Sequence, residues 1–299
     1  MIDLDFDWVR EARATNPTAV TAALVSRHRR PVMMGDKRLF LIAADHPARG
    51  ALGVRDNPTA MANRYELLER LATAVSRPGV DGVLATADII EDLALLGVLD
   101  GKIAAASMNR GGLQGASFEM DDRFTAYDIA GAVAARLDFA KILVRINLSD
   151  AGTLETLTAA ARAITHAASS RLPIMIEPFM SDWRDGVIRN DLSTDAVIKS
   201  VAIASGLGAS AAYSWLKLPV VAEMERVMEA TTLPTLLLGG DPSGNPDEIF
   251  ESWRNALALP GVRGLVVGRT LLYPPDGDVA AAVDVAASLV HHAPAGAIR

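Results

Sequence analysis

The chain has 299 residues, 50% of them hydrophobic and 5% aromatic, and a formal net charge of −7. That acidic balance argues against a nucleic-acid or anionic-membrane surface, since both need clustered positive charge. Cysteine is absent, which excludes disulfides, Cys-ligated zinc and thiol catalysis. The first ten residues, MIDLDFDWVR, are acidic and lack the apolar h-region of a secretory signal. No window approaches the ~18 uninterrupted apolar residues of a membrane span, so a cytoplasmic, enzyme-sized protein is the expectation.

Residues 1–36 read as one or two helices laid over the N-terminal end of the main fold. From there, short β-like runs alternate with amphipathic helical stretches. The strand runs are LFLIAAD (39–45), DGVLAT (81–86), KIAAASM (102–108) and KILVRIN (141–147), then LPIMIEP (172–178), YSWLKLP (213–219), PTLLLGG (234–240) and VRGLVVGR (262–269). Helical stretches lie between them at 59–75, 88–99, 126–139, 153–169, 195–208, 221–231 and 246–258, and a last one covers 278–290. Near-continuous apolar strands separated by helices mean a parallel sheet covered on both faces. Eight such units predict an α/β fold, a closed (β/α)8 TIM barrel, with residues 1–299 forming one domain. No G-x-G-x-x-G follows the first strand, which weakens a dinucleotide-binding reading. Two long segments, 109–123 and 179–193, are expected as loops rising over the C-terminal face, where barrel active sites are built.

Catalytic groups in this fold come from the C-terminal ends of strands. Here the first strand ends in Asp45 and His46, the third in Ser107 and Asn109, the fourth in Arg145 and Asn147, and the fifth in Glu177. The sixth carries Lys217, the seventh ends in Gly239-Gly240 and the eighth in Gly268-Arg269. Of five lysines, Lys102 and Lys141 begin strands and are expected at the opposite mouth; Lys217 is the one near a C-terminal end. Alternation groups Tyr213, Trp215 and Lys217 on one face, which turns Lys217 inward with Trp215 beneath it. Burial disfavours an ammonium and lowers its pKa, and a neutral amine can form a Schiff base with a carbonyl. Glu177 on the neighbouring strand is the natural proton shuttle; a lysine that only neutralises a buried carboxylate would give the same placement. The glycines after strands seven and eight, with Arg269, form the usual phosphate cradle of this fold. Within GGDPSGNPDEIF, Asn245 is an N-cap and Pro246 a first helical residue.

This ordered set resembles the class I aldolases, nearest the tagatose-bisphosphate and sulfofructose-phosphate branch, with archaeal-type fructose-bisphosphate and deoxyribose-phosphate aldolases more distant. SWLKLP (214–219) is similar to their Schiff-base strand. The resemblance implies that Lys217 forms the imine, that Glu177 transfers protons and that Asp45 handles a substrate hydroxyl. Arg145 would fill the strand-four place where relatives carry a basic residue, often lysine. Gly239, Gly240, Gly268 and Arg269 would hold phosphate, with Asn147, His46 and Trp215 near the substrate. The loop GGDPSGNP is longer than the family pattern and adds Asp241. The chain is also similar to actinobacterial barrels linked with inositol breakdown, which implies a phosphorylated 2-deoxy-5-keto sugar acid as substrate. No cofactor or metal is implied; the expected partners are a small phosphorylated sugar or sugar acid and further copies of the chain. Two other readings stay open: a metal-dependent lyase or hydrolase using Asp45, His46 and Glu177, and a non-catalytic sugar-phosphate-binding barrel.

Overall fold

The computed structural model describes residues 4–240 and 244–292. Two helices, α1 (Phe6–Thr15) and α2 (Thr18–Ser26), come first. The strands are β1 (Leu39–Ala43), β2 (Gly82–Ala85), β3 (Ile103–Ser107), β4 (Phe139–Ile146) and β5 (Ile174–Arg184), followed by β6 (Val187–Asn190), β7 (Ser214–Leu218), β8 (Thr235–Leu238) and β9 (Val262–Val267). Between and after them run α3 (Arg64–Ser76), α4 (Ala87–Leu95), α5 (Ile129–Ala134), α6 (Gly152–Ser169) and α7 (Thr194–Ser205), then α8 (Met224–Glu229), α9 (Pro246–Leu257), α10 (Arg269–Leu272) and α11 (Val279–His292). A single 3-10 turn, Pro47–Arg49, follows β1. Among the described residues no helix is long and apolar enough to cross a membrane.

The sheet order is β4-β3-β2-β1-β9-β8-β7-β5, and pairing of β4 with β5 closes the ring. Every barrel neighbour is parallel. This is the (β/α)8 barrel that the alternating pattern predicts. Two apolar layers arise from the strand alternation. Leu41, Leu84, Ala105, Phe139, Met175 and Leu236 point inward and pack on one another. Their outward neighbours, Ile42, Val83, Ile142 and Leu216 among them, pack beneath the helices.

The structure departs from expectation at both ends of the barrel. The two N-terminal helices lie on its flank, where Val9 and Ala12 pack against Leu95 of α4 and Arg13 bonds Asp92 at 2.7 Å. The segment after α2 crosses the N-terminal mouth instead, and Val32 and Met33 pack against the inner layer. Arginines fix it there: Arg27 and Arg29 reach the two oxygens of Asp138 at 2.7 and 2.8 Å, and Arg30 reaches Asp81. These two aspartates also hold strand starts, accepting the backbone N–H of Ala104 and Phe40 respectively.

At the other end, the segment 179–193 is a hairpin rather than a loop. β5 runs on past the barrel rim and returns as β6, with Trp183 opposite Ile188 and Asp182 opposite Arg189. Asp185 and Gly186 turn the chain with φ of 53° and 74°, the two left-handed residues of a tight hairpin turn.

Candidate active site

Side chains of the inner face change character on passing up the barrel. Below lies the packed apolar layer, where Trp215 meets Phe139 edge-on at 5.4 Å. Above it stand Asp45, Ser107, Lys141, Glu177 and Lys217, all buried. They form one chain of contacts. Lys217 Nζ donates to Glu177 Oε1 at 2.6 Å, and Lys141 Nζ lies 2.6 Å from Glu177 Oε2. Lys141 also donates to Asp45 Oδ2 at 3.1 Å, and Ser107 Oγ donates to that same oxygen at 3.0 Å.

Lys141 corrects the sequence reading, which expects it at the opposite mouth. β4 begins two residues earlier than the apolar run suggests, and the strands of a barrel are staggered. Lys141 consequently pairs with Ser107, the last residue of β3, and its side chain rises to the level of Glu177. Lys141 is therefore the strand-four basic residue that stands beside Glu177. Arg145 stands higher on the same face and turns to the segment after β3, where its backbone N–H and Nη2 both bond Asp122, at 2.7 and 2.8 Å. It also donates to the Glu119 carbonyl. Arg110 donates to that carbonyl too, at 2.8 Å, and lies 3.5 Å from Asp122.

The electrostatics separate the two lysines. Burial pushes both down, but Lys141 sits between Asp45 and Glu177, and these two carboxylates raise its pKa above the ordinary value. Lys217 touches one carboxylate and feels the Lys141 ammonium beside it, so burial prevails and its pKa is lowered. Burial would raise Glu177, yet Lys141 and Lys217 hold it at about 2. Asp45 likewise ends well below the carboxylate range, burial being outweighed by Lys141 and its other cationic neighbours. Among the described residues no group of three or more His, Asp and Glu is placed to hold a metal ion. The two carboxylates face lysines instead.

The remaining candidates lie around this centre. His46, whose Nδ1 is 3.7 Å from Asp45, is driven well below its usual pKa by burial and by Arg49. Asn147 uses its side-chain oxygen to accept the N–H of Ser149 at 2.9 Å, which shapes the turn into α6. Gly239 is half-buried after β8 and Gly240 exposed; Asp241 lies outside the described residues. Gly268 follows β9, and a Cβ there would come within 2.3 Å of the Ala43 carbonyl, so only glycine permits this close approach of β9 to β1. Arg269 opens α10 and donates to Gly53 O at 3.4 Å. As the sequence predicts, Asn245 caps α9, accepting the N–H of Asp247 at 3.0 Å.

A parallel barrel with buried lysines ringed by carboxylates at its C-terminal mouth has the fold of class I aldolases. An archaeal fructose-1,6-bisphosphate aldolase, solved with its catalytic lysine covalently bound to the carbinolamine intermediate, superposes with a TM-score of 0.64 at 18% identity, over 91% of this chain and 99% of that one. A Schiff-base-forming fructose-1,6-bisphosphate aldolase gives 0.64 at 19% identity, over 91% and 100%. At such identities the likeness is one of fold. The chain itself belongs to the Cgl0159-like family, whose sequence model matches residues 37–287. Its structure is similar to the crystal structure of Cgl0159 from Corynebacterium glutamicum, with 66% identity, a TM-score of 0.94 and coverage of 96% of this chain and 97% of that one. No curated protein matches it in sequence.

Proposed function

We propose that the protein is a class I aldolase that cleaves a phosphorylated ketose or keto-sugar acid through a Schiff base on Lys217. The observation that carries this reading is the unequal pair of lysines sharing Glu177. One is held as an ammonium between two carboxylates, and the other has its pKa lowered. A purely structural network would hold both lysines alike as ammoniums, with no such asymmetry. A nucleophilic amine needs a neutral form near working pH.

In the proposed reaction, Nζ of neutral Lys217 attacks the substrate carbonyl carbon. The nitrogen's proton passes to Glu177, already 2.6 Å away. Glu177 hands that proton to the new alkoxide, giving the carbinolamine hydroxyl, and a second proton, taken up from solvent by Glu177, lets the hydroxyl leave as water and gives the iminium. Cleavage removes the proton from the hydroxyl beside the breaking bond, with Asp45 and Glu177 as the acceptors in the site, and the bond's electrons pass into the enamine. Protonation and hydrolysis release the second product and free the amine. Lys141 keeps its proton throughout and prevents both carboxylates from holding Lys217 as a fixed ammonium.

Gly239, Gly240, Gly268 and Arg269 take the phosphate in this reading. A phosphorylated 2-deoxy-5-keto sugar acid, giving dihydroxyacetone phosphate and malonate semialdehyde, fits it. Borohydride with dihydroxyacetone phosphate should add the reduced adduct's mass at Lys217, and Lys217→Met should abolish both adduct and turnover. A folded Lys217→Met protein with near-normal turnover would rule the reading out.

A further inference from the structure

The hairpin of β5 and β6 leaves the sheet with an open edge. β4 accompanies β5 only as far as Ile146, opposite Met180, and β5 runs on to Arg184. Those last residues carry the ribbon ~13 Å beyond the barrel wall. Among the described residues β6 pairs with β5 alone. A two-stranded ribbon is marginal by itself, and an open edge accepts another strand unless lysine, proline or a bulge blunts it. The stretch 181–193 contains neither lysine nor proline. It exposes Trp183, Val187 and Leu192, and the neighbouring rim segment after β4 exposes Leu148 and Leu154.

The direction of the edge's backbone groups follows from the pairing with β5. The Asp191 N–H bonds the Met180 carbonyl, and bonded and non-bonded positions alternate along an antiparallel pair. Val187, Arg189 and Asp191 therefore direct their backbone groups to β5, while Ile188 and Asn190 turn theirs outward. Ser193 is still extended, with φ −64° and ψ 146°, so Leu192 continues the outward set.

This alternation limits how the edge can meet itself. In a symmetric antiparallel pair, a residue on the two-fold axis must turn its backbone outward. With Asn190 on the axis, Arg189 faces Asp191 of the second copy and Ile188 faces Leu192 of the second copy, and symmetry makes each contact twice. Opposite charges and apolar pairs in those positions stabilise a sheet. With Ile188 on the axis, Val187 faces arginine and the turn ends the pairing one residue further on. With Arg189 on the axis, two like charges meet and the wrong backbone groups face the edge. Among the described residues the Arg189 side chain has no ion pair or hydrogen bond of its own, which leaves it open to a carboxylate from outside.

We propose that β6 is a dimerisation edge: two copies of the chain pair β6 with β6 about Asn190, forming one four-stranded ribbon above the barrel mouths. The pairing does not depend on the aldolase reading.

The test is sedimentation equilibrium of the full chain over a concentration series, with amide exchange read on the same samples. The native protein should dimerise, and the amides of Ile188, Asn190 and Leu192 should gain protection as concentration rises. Arg189→Asp and Asp191→Arg each set like charges opposite one another twice, so each should raise the dimer dissociation constant ~10–100-fold. Mixed in equal amounts, the two variants restore both opposite-charge pairs and should associate with near-native affinity. Ile188→Pro removes an outward N–H that β5 does not use, and should give a folded monomer. A monomeric native protein would overturn the proposal, as would an oligomer that these substitutions leave intact or a mixture that fails to associate while both variants keep the amides of Val187 and Arg189 protected. Protection of the edge amides by dihydroxyacetone phosphate, independent of protein concentration, would make the hairpin a lid over the mouth and would overturn it too.

Discussion

At the scale of single residues, the proposed chemistry depends on how Lys141 and Glu177 divide their influence on Lys217. Removing the Lys141 ammonium in Lys141→Met deletes a like charge beside Lys217 and leaves Glu177 with one lysine to pair. Both effects favour the Lys217 ammonium, so its pKa should rise. The rate of borohydride trapping, plotted against pH, should shift its rising limb to higher pH. An unmoved profile would show that Lys141 does not tune the amine. Glu177→Gln should instead lower kcat by ~10²–10⁴-fold, because the carbinolamine loses its proton carrier while some adduct still accumulates on long incubation. A glutamine variant that melts early yet forms imine at the native rate would leave Glu177 as a counter-ion. Lys217 and Glu177 could be read from the sequence because an inward lysine in SWLKLP has no apolar excuse. Lys141 could not, since its height depends on barrel stagger, which no local pattern records.

At the scale of elements, the strands were legible because burial on both faces leaves continuous apolar runs, and the helices because their apolar residues recur with helical spacing. The hairpin of β5 and β6 was hidden by its polarity: DWRDGVIRN has no buried face to alternate, and its one signal is Asp185-Gly186. Arg145 was ambiguous for a related reason, since a basic residue at a strand end reads the same whether it meets substrate or a loop. Its partner Asp122 is fully buried and holds both the backbone and the guanidinium of Arg145. Asp122→Asn should therefore strand two buried arginines and destabilise the fold by about 3–5 kcal/mol, measured by denaturant unfolding. Unchanged stability with lost turnover would mean instead that Arg145 serves the substrate directly.

At the scale of the whole molecule the two mouths do different work: the upper one gathers groups of shifted pKa, and the lower one is fastened by ion pairs, as barrels tend to divide chemistry from stability. The last helix joins that lower fastening through His291. Its Nδ1 lies 2.8 Å from Asp36 Oδ2 and its Nε2 2.8 Å from Gly79 O. Both partners are acceptors, so both ring nitrogens must carry protons, and Asp81, 3.5 Å away, and Asp36 raise the pKa against burial to about 9. The imidazolium therefore stabilises the fold fully below the unfolded-state value near ~6.5 and loses this contribution as pH rises through about 9. His291→Gln can satisfy one acceptor but carries no charge. The native protein should exceed the variant by about 1–3 kcal/mol at pH 6, and the gap should narrow steadily toward pH 10. Comparing the two proteins at each pH removes the titrations they share, so urea midpoints across that range isolate His291. A gap of constant size would mean that His291 contributes shape and hydrogen bonds at the lower mouth, without charge.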